Sequence, residues 1–166
     1  MKHIISFIIF TSILLSQNSF ADFNQAPDIN LPGVNTNVQL KDLKGKVVYL
    51  DFWASWCVPC KTSFPWMRDI KQRYADQGFE IVAVNLDKDR KLADEFLKEM
   101  DVNFKIAFDE SGASAAEYKL RGMPSSYLIG RDGKVYASHI GFREKDKEQL
   151  EQAITNLLNK KQVSLE

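Results

Sequence analysis

The sequence predicts an α/β domain built on a mixed sheet covered by helices, and three observations carry that expectation. Two β-branched and aromatic runs, "KVVYLDF" from Lys46 and "FEIVAVNLD" from Phe79, have the length and composition of buried strands. Each is followed by a segment that reads as a helix, which makes the strands neighbours in a parallel portion of sheet. The late stretch "RGMPSSYLIGRDGKVYASHIGF" holds two strand-like pieces around Asp132-Gly133, a pair favoured in tight two-residue hairpin turns. That hairpin adds an antiparallel edge.

Element by element, Ala26 to Gly45 is punctuated by Pro27, Pro32 and Gly33 and reads as an extended, turn-rich lead-in. A helix is expected from Cys57 to Ala75, bent at the internal Pro65, with Gly78 closing the connection. Leu92, Phe96 and Met100 recur at intervals of four among charged residues, so a helix with that buried face is expected over Asp89 to Met100. "FKIAF" reads as a short strand and Ser111 to Leu120 as a short helix. Leu150, Ile154, Leu157 and Leu158 line one face of a final helix. The chain shows no internal repeat and no low-complexity tract.

At 166 residues the chain has room for one sizeable core. Lys plus Arg number 22 and Asp plus Glu number 22, which argues against a general electrostatic grip on nucleic acid. Lys2 and His3, the apolar run Ile4 to Leu15 and the small-residue exit Ser19-Phe20-Ala21 read as a secretory signal over residues 1–21. The domain then occupies 22–166 and works outside the reducing cytosol, in the periplasm. The apolar run falls short of the roughly 20 residues a spanning helix needs. An uncleaved N-terminal membrane anchor is the alternative. Neither cysteine lies near the exit, which excludes a lipid-anchored cysteine.

The chain has two cysteines, Cys57 and Cys60, in "WCVPC". As a structural staple they would close a very small loop and remove little unfolded-state entropy. Redox chemistry is the better account. Cys57 falls at the start of a helix, where exposed N–H groups and the helix dipole favour an anion. Such settings lower a thiol from its ordinary pH 8.5 to roughly 3.5–7.5. Cys57 is therefore the expected nucleophile. Cys60, one turn on, is the expected resolving thiol. Zinc would need further ligands and the mature chain offers only His139, so no metal site is expected.

Asp51 lies inside the first strand, on one face with Val47 and Tyr49. An unpaired buried carboxylate is costly and responds by holding its proton more tightly. Either that face reaches solvent near the strand end, or Asp51 is a proton acceptor for the buried thiol of Cys60.

With strand, "DFWASWCVPCK", helix and "GMP" in hand, the chain resembles the thioredoxin superfamily, and more narrowly its exported TlpA/ResA/DsbE-type members. The similarity covers nearly all of the mature chain. It implies a thioredoxin-like fold with an N-terminal hairpin and an inserted helix–strand segment. It also implies a cis peptide at Met123-Pro124 facing the cysteines, with Met123 offering its backbone to a bound polypeptide. Trp56, Val58, Pro59, Met123, Pro124, Gly141 and Phe142 would surround Cys57 as an apolar client platform. Three departures stand out. Ser63 occupies a position that is often acidic in TlpA-like reductases, Asp51 stands where many have Asn, and Ala83 replaces the lysine that accompanies this acid in some thioredoxins. "RGMPSS" also lacks the acidic residue found after that proline in dedicated cytochrome c maturation members, which weakens that specific role.

The expected function is thus an exported thiol–disulfide oxidoreductase that reduces client disulfides. It is recharged by a membrane electron donor of the DsbD/CcdA type and needs no metal, flavin or nucleotide. A disulfide-donating oxidase of the same fold and a non-catalytic client-binding or chaperone module are the competing readings.

Overall fold

The computed structural model describes residues 25–160, so the leader expected over 1–21 lies outside the described residues. In chain order the strands and helices are β1 (Asn30–Leu31), β2 (Val38–Gln39), β3 (Val47–Trp53), α1 (Val58–Tyr74), β4 (Phe79–Asn85), α2 (Arg90–Lys98), β5 (Lys105–Phe108), α3 (Ala113–Glu117), β6 (Ser125–Ile129), β7 (Val135–Ile140) and α4 (Lys147–Leu158). The main sheet has the order β5-β4-β3-β6-β7. β3, β4 and β5 run parallel, whereas β6 and β7 are antiparallel, as the helical connections and the late hairpin demand.

Both parallel crossovers, through α1 and α2, step in the same direction along the sheet. Right-handed connections therefore carry both helices to one face. Residues of α1, α2 and α4 share one core with Val47, Tyr49 and Trp53 of β3. Val48, Leu50 and Phe52 point the other way, into a second core with Tyr118 beside α3 and with Ile29, Val38 and Leu43 of the lead-in. β1 and β2 pair as a short antiparallel hairpin. The lead-in is fastened by a bridge from Gly33 to Ala107 and by the Tyr118 hydroxyl, which donates to the Pro27 carbonyl (2.7 Å). All seven residues of β3 are buried, which makes it the central strand of both cores.

Trp53, Phe64 and Phe96 fix α1 and α2 against β3, with ring centroids 4.7–5.1 Å apart. Each such aromatic pair contributes about 0.5–1.5 kcal/mol beyond its area. α1 runs through Pro65 without a break. On α2 the buried face differs from the expected one. Ala93 and Phe96 are buried, with Leu97 and Met100 packed beside them, while Leu92 is 45% exposed. The i, i+3, i+4, i+7 stripe runs from Ala93, and a small residue there lets the helix sit close. α3 is also shorter than expected, with Asp109 accepting from the Ser114 amide (2.8 Å) and hydroxyl (2.6 Å) at its start.

The β6–β7 connection corrects the two-residue turn expected at Asp132-Gly133. The Gly133 amide donates to the Gly130 carbonyl (2.9 Å), so Arg131 and Asp132 are the central residues of the turn. Gly133 follows in the left-handed region at φ 79°, and the register slips between Leu128 and Ile129. This is the longer hairpin in which glycine supplies a bulge. Gly133→Ala is expected to destabilise the fold by about 1–2 kcal/mol, and Gly133→Asn by less, in urea unfolding. The added Cβ would meet only the movable end of Gln25, so backbone conformation sets the cost.

Candidate active site

β3 ends at Trp53, and the chain turns through Ala54, Ser55 and Trp56 into α1. Cys57 is the N-cap, in extended conformation (φ −83°, ψ 101°), and its amide donates to the Ala54 carbonyl (3.0 Å). Pro59 sits in the first turn, where a missing N–H costs the helix no hydrogen bond. No acidic residue occupies that turn. Cys57 and Cys60 form a disulfide, with Cα atoms 5.3 Å apart. Cys60 is fully buried, while Cys57 keeps 4% of its surface and borders a surface groove of about 570 Å³. The reach of an incoming group thus distinguishes the two sulfurs.

The groove is lined by Trp56, Val58 and Pro59 on the cysteine side and by Leu86, Ala115, Leu120, Gly122 and Met123 opposite. Trp56 and Val58 are 67% and 75% exposed, a placement that leaves apolar surface in water beside the disulfide. Met123-Pro124 is a cis peptide. Gly141 lies behind it, its amide donating to the Pro124 carbonyl (2.7 Å), and is not part of the groove wall. Phe142 turns inward onto Trp66, with centroids 5.3 Å apart, and belongs to the core rather than to the platform.

Asp51 is 1% exposed, so the solvent-reaching alternative for its face does not hold. It projects from the same face of β3 as Tyr49 and Trp53, the face whose core contains Cys57 and Cys60. Its Oδ2 finds no hydrogen-bond partner, and burial holds its carboxyl well above the usual carboxylate range. On β4 its cross-strand neighbour is Ala83, which brings no charge. Ser63, buried in α1, donates its hydroxyl to the Cys60 carbonyl (3.0 Å).

Sequence reasoning missed Asp87. Just past β4, this buried carboxylate accepts from the Ser55 amide and hydroxyl (both 2.9 Å) and from Asn85 Nδ2 (2.7 Å). It clamps the loop that delivers Cys57 to α1. The available signal was a polar "NLD" closing an otherwise apolar strand. Among the described residues, no group of three or more His, Cys, Asp or Glu could hold a metal ion.

Sheet order, helix start, the Cys57–Cys60 disulfide and cis proline define a thioredoxin-like redox protein. The chain belongs to the Redoxin family, whose model matches residues 22–154. It is similar to the thiol-disulfide oxidoreductase ResA of a Bacillus cereus strain, 40% identical over 69% of this chain and 65% of that protein. The ResA of Bacillus subtilis (strain 168) is 34% identical over 79% of this chain and 74% of its own length. The chain therefore spans about two thirds to three quarters of these relatives. Among solved structures, a Chlorobium tepidum protein assigned as the thiol:disulfide interchange protein DsbE superposes with a TM-score of 0.81 at 50% identity. That superposition covers 82% of this chain and 96% of the other.

Two outcomes are expected. Asp87→Ala should cost about 1.5–3 kcal/mol in chemical unfolding, because it strips charged-group hydrogen bonds from a buried loop. The second concerns Asp51, whose acid is favoured in the fold. Its stabilising effect is complete below the unfolded pKa and is lost as pH rises through the folded pKa. Asp51→Asn should therefore raise the melting temperature of the oxidised protein in alkaline buffer, and the gap should close in acid.

Proposed function

We propose that the protein is an exported thiol–disulfide oxidoreductase that reduces disulfides in client polypeptides. The observation that carries this reading is the Cys57–Cys60 pair at the head of α1, with Cys57 opening onto an apolar groove that Met123 also lines. In the reduced protein the amides of the first helical turn stabilise a Cys57 thiolate, which attacks a client disulfide. One client sulfur leaves as thiolate, and the other is held in a mixed disulfide with Cys57. Cys60 then gives its proton to Asp51, directly or through one water, and attacks the Cys57 sulfur. The second client thiolate departs, two electrons have passed to the client, and the Cys57–Cys60 disulfide is re-formed. An extended client segment with apolar side chains next to its cysteine fits the groove, with Trp56, Val58, Pro59 and Met123 around it.

The reducing direction follows the resemblance to TlpA-like reductases, and Val58 and Pro59, which add no charge near the Cys57 sulfur, do not decide it. In the reduced protein the helix start and hydrogen bonds from Cys60 and the first-turn backbone can share the stabilisation of the Cys57 thiolate. A less stabilised dithiol is a stronger reductant. Function outside the cytosol rests on the leader-like residues 1–21, and recharging would then fall to a membrane dithiol donor. No helix among the described residues is long and apolar enough to cross a membrane.

Cys57→Ser is expected to abolish reduction of an insulin-type substrate, whereas Cys60→Ser should accumulate covalent client adducts on Cys57. Full multi-turnover activity of Cys60→Ser would reverse the assignment of the two thiols. The reduction potential should fall nearer to about −270 mV than to the about −120 mV of strong oxidants. A value at the oxidising end would favour the disulfide-donating reading.

A further inference from the structure

The acid beneath the cysteines can keep the Cys60 thiol ionised only if it passes that proton on, and Asp51 is enclosed on all sides. The sheet register provides a direction out. Asp51 on β3 lies directly opposite Ser126 on β6, and Ser126 lies directly opposite His139 on β7. The residues thus stand side by side across three adjacent strands. Directly paired side chains of this kind have Cβ atoms about 4.5–5.5 Å apart, a gap that hydroxyls or one water can span. Ser126 is buried, while the His139 side chain is one-quarter exposed on the edge strand, so the row climbs from the interior to solvent.

Three further observations point along the same line. A cavity of about 90 Å³ between the sheet and α4 is lined by Tyr49, Ser126, His139 and Gln149, with Leu150 and Ile154 closing it. That is polar enough and large enough for water. Buried Asp51 Oδ2 at one end of the row lacks a hydrogen bond, though packing satisfies most such atoms, and buried His139 Nε2 at the other has only the Asp146 carboxylate, at 3.5 Å. Tyr49 links the two halves. Burial, and then the charge of Asp51, make its phenol harder to ionise, while the Ser126 hydroxyl acts in the opposite sense.

We propose that Ser126, Tyr49 and His139 form a proton-exit row that carries the proton of Cys60 from Asp51 to the solvent edge of the sheet. The proposal rests on the reading of Asp51 as the base for Cys60. The Cys60 S–H bond breaks as the carboxylate takes the proton. The carboxylic acid then passes it through the Ser126 hydroxyl, or through water in the cavity held by Ser126 and Tyr49, to the His139 ring. The ring releases it to solvent. At that end Asp146 Oδ2 lies 3.5 Å from His139 Nε2 and offers a counter-charge during passage. Asp146 is itself held by the Arg143 guanidinium (2.9 and 3.2 Å), and α4 presents the uncharged Gln149. Ser126, Tyr49 and His139 are positioning residues, since none touches the reacting sulfurs.

Reduced protein mixed with an equal concentration of 5,5′-dithiobis(2-nitrobenzoate) releases one aromatic thiolate on attack by Cys57. It releases a second, in a concentration-independent phase, on attack by Cys60. Ser126→Ala and His139→Ala are expected to slow the second phase about tenfold near neutral pH and to alter its pH profile, leaving the first phase unchanged. Free imidazole should restore the second phase of His139→Ala. If Asp51→Asn slows the second phase while Ser126→Ala and His139→Ala keep the wild-type rate and profile, the row is overturned and the role of Asp51 stands. If Asp51→Asn leaves the second phase unchanged, both fall. Should Ser126→Ala fold poorly, the imidazole response of His139→Ala on the edge strand decides alone, and failure of imidazole to accelerate it rejects the row.

Discussion

The junction between the end of β3 and the first turn of α1 is the constraint on which the site depends. The leading amides of a helix have no partners within it, and their dipoles add to a partial positive charge. Here those amides are held in place because α1 is pinned to β3 by Trp53, Phe64 and Phe96, with the Ser55 turn tied down by Asp87. A helix start free to fray would spread its amides over many orientations. A docked one keeps them trained on a single sulfur.

The same strand serves a second purpose. Alternation along β3 sends Val48, Leu50 and Phe52 to one core and Val47, Tyr49 and Trp53 to the other, and Asp51 follows the second set. A carboxyl group in that position has no cationic neighbour on β4, where Ala83 stands opposite. Burial raises its affinity for a proton. That arrangement is costly to the fold, and such strained polar placements concentrate where chemistry is done.

Much of this was legible in the sequence. The strand and helix order followed from hydrophobic runs, and the position of Cys57 at a helix start followed from the helix expected after the first long strand. Trp56, Val58, Pro59 and Met123, which line the groove, and the cis bond at Pro124 came from the family resemblance and not from spacing or composition. What was not legible depended on contacts between residues far apart in the chain. Asp87 reaches across 32 positions to Ser55, and although the polar end of its strand marks Asp87, nothing local marks Ser55 as its partner. Leu92 read as core because spacing alone cannot distinguish a stripe that begins at Leu92 from one that begins at Ala93. Phe142 looked like platform surface until its ring was seen packed on Trp66.

The sheet also divides the labour of the site. Cys57, Cys60 and Met123 are packed with the core under α1 and α4, whereas Leu86, Ala115 and Leu120 on the far wall of the groove are backed by the opposite core. Replacements in that far wall can reshape what the groove accepts while the layer under the sulfurs stays intact. Selectivity and reactivity are thereby free to diverge independently in descendants of this chain.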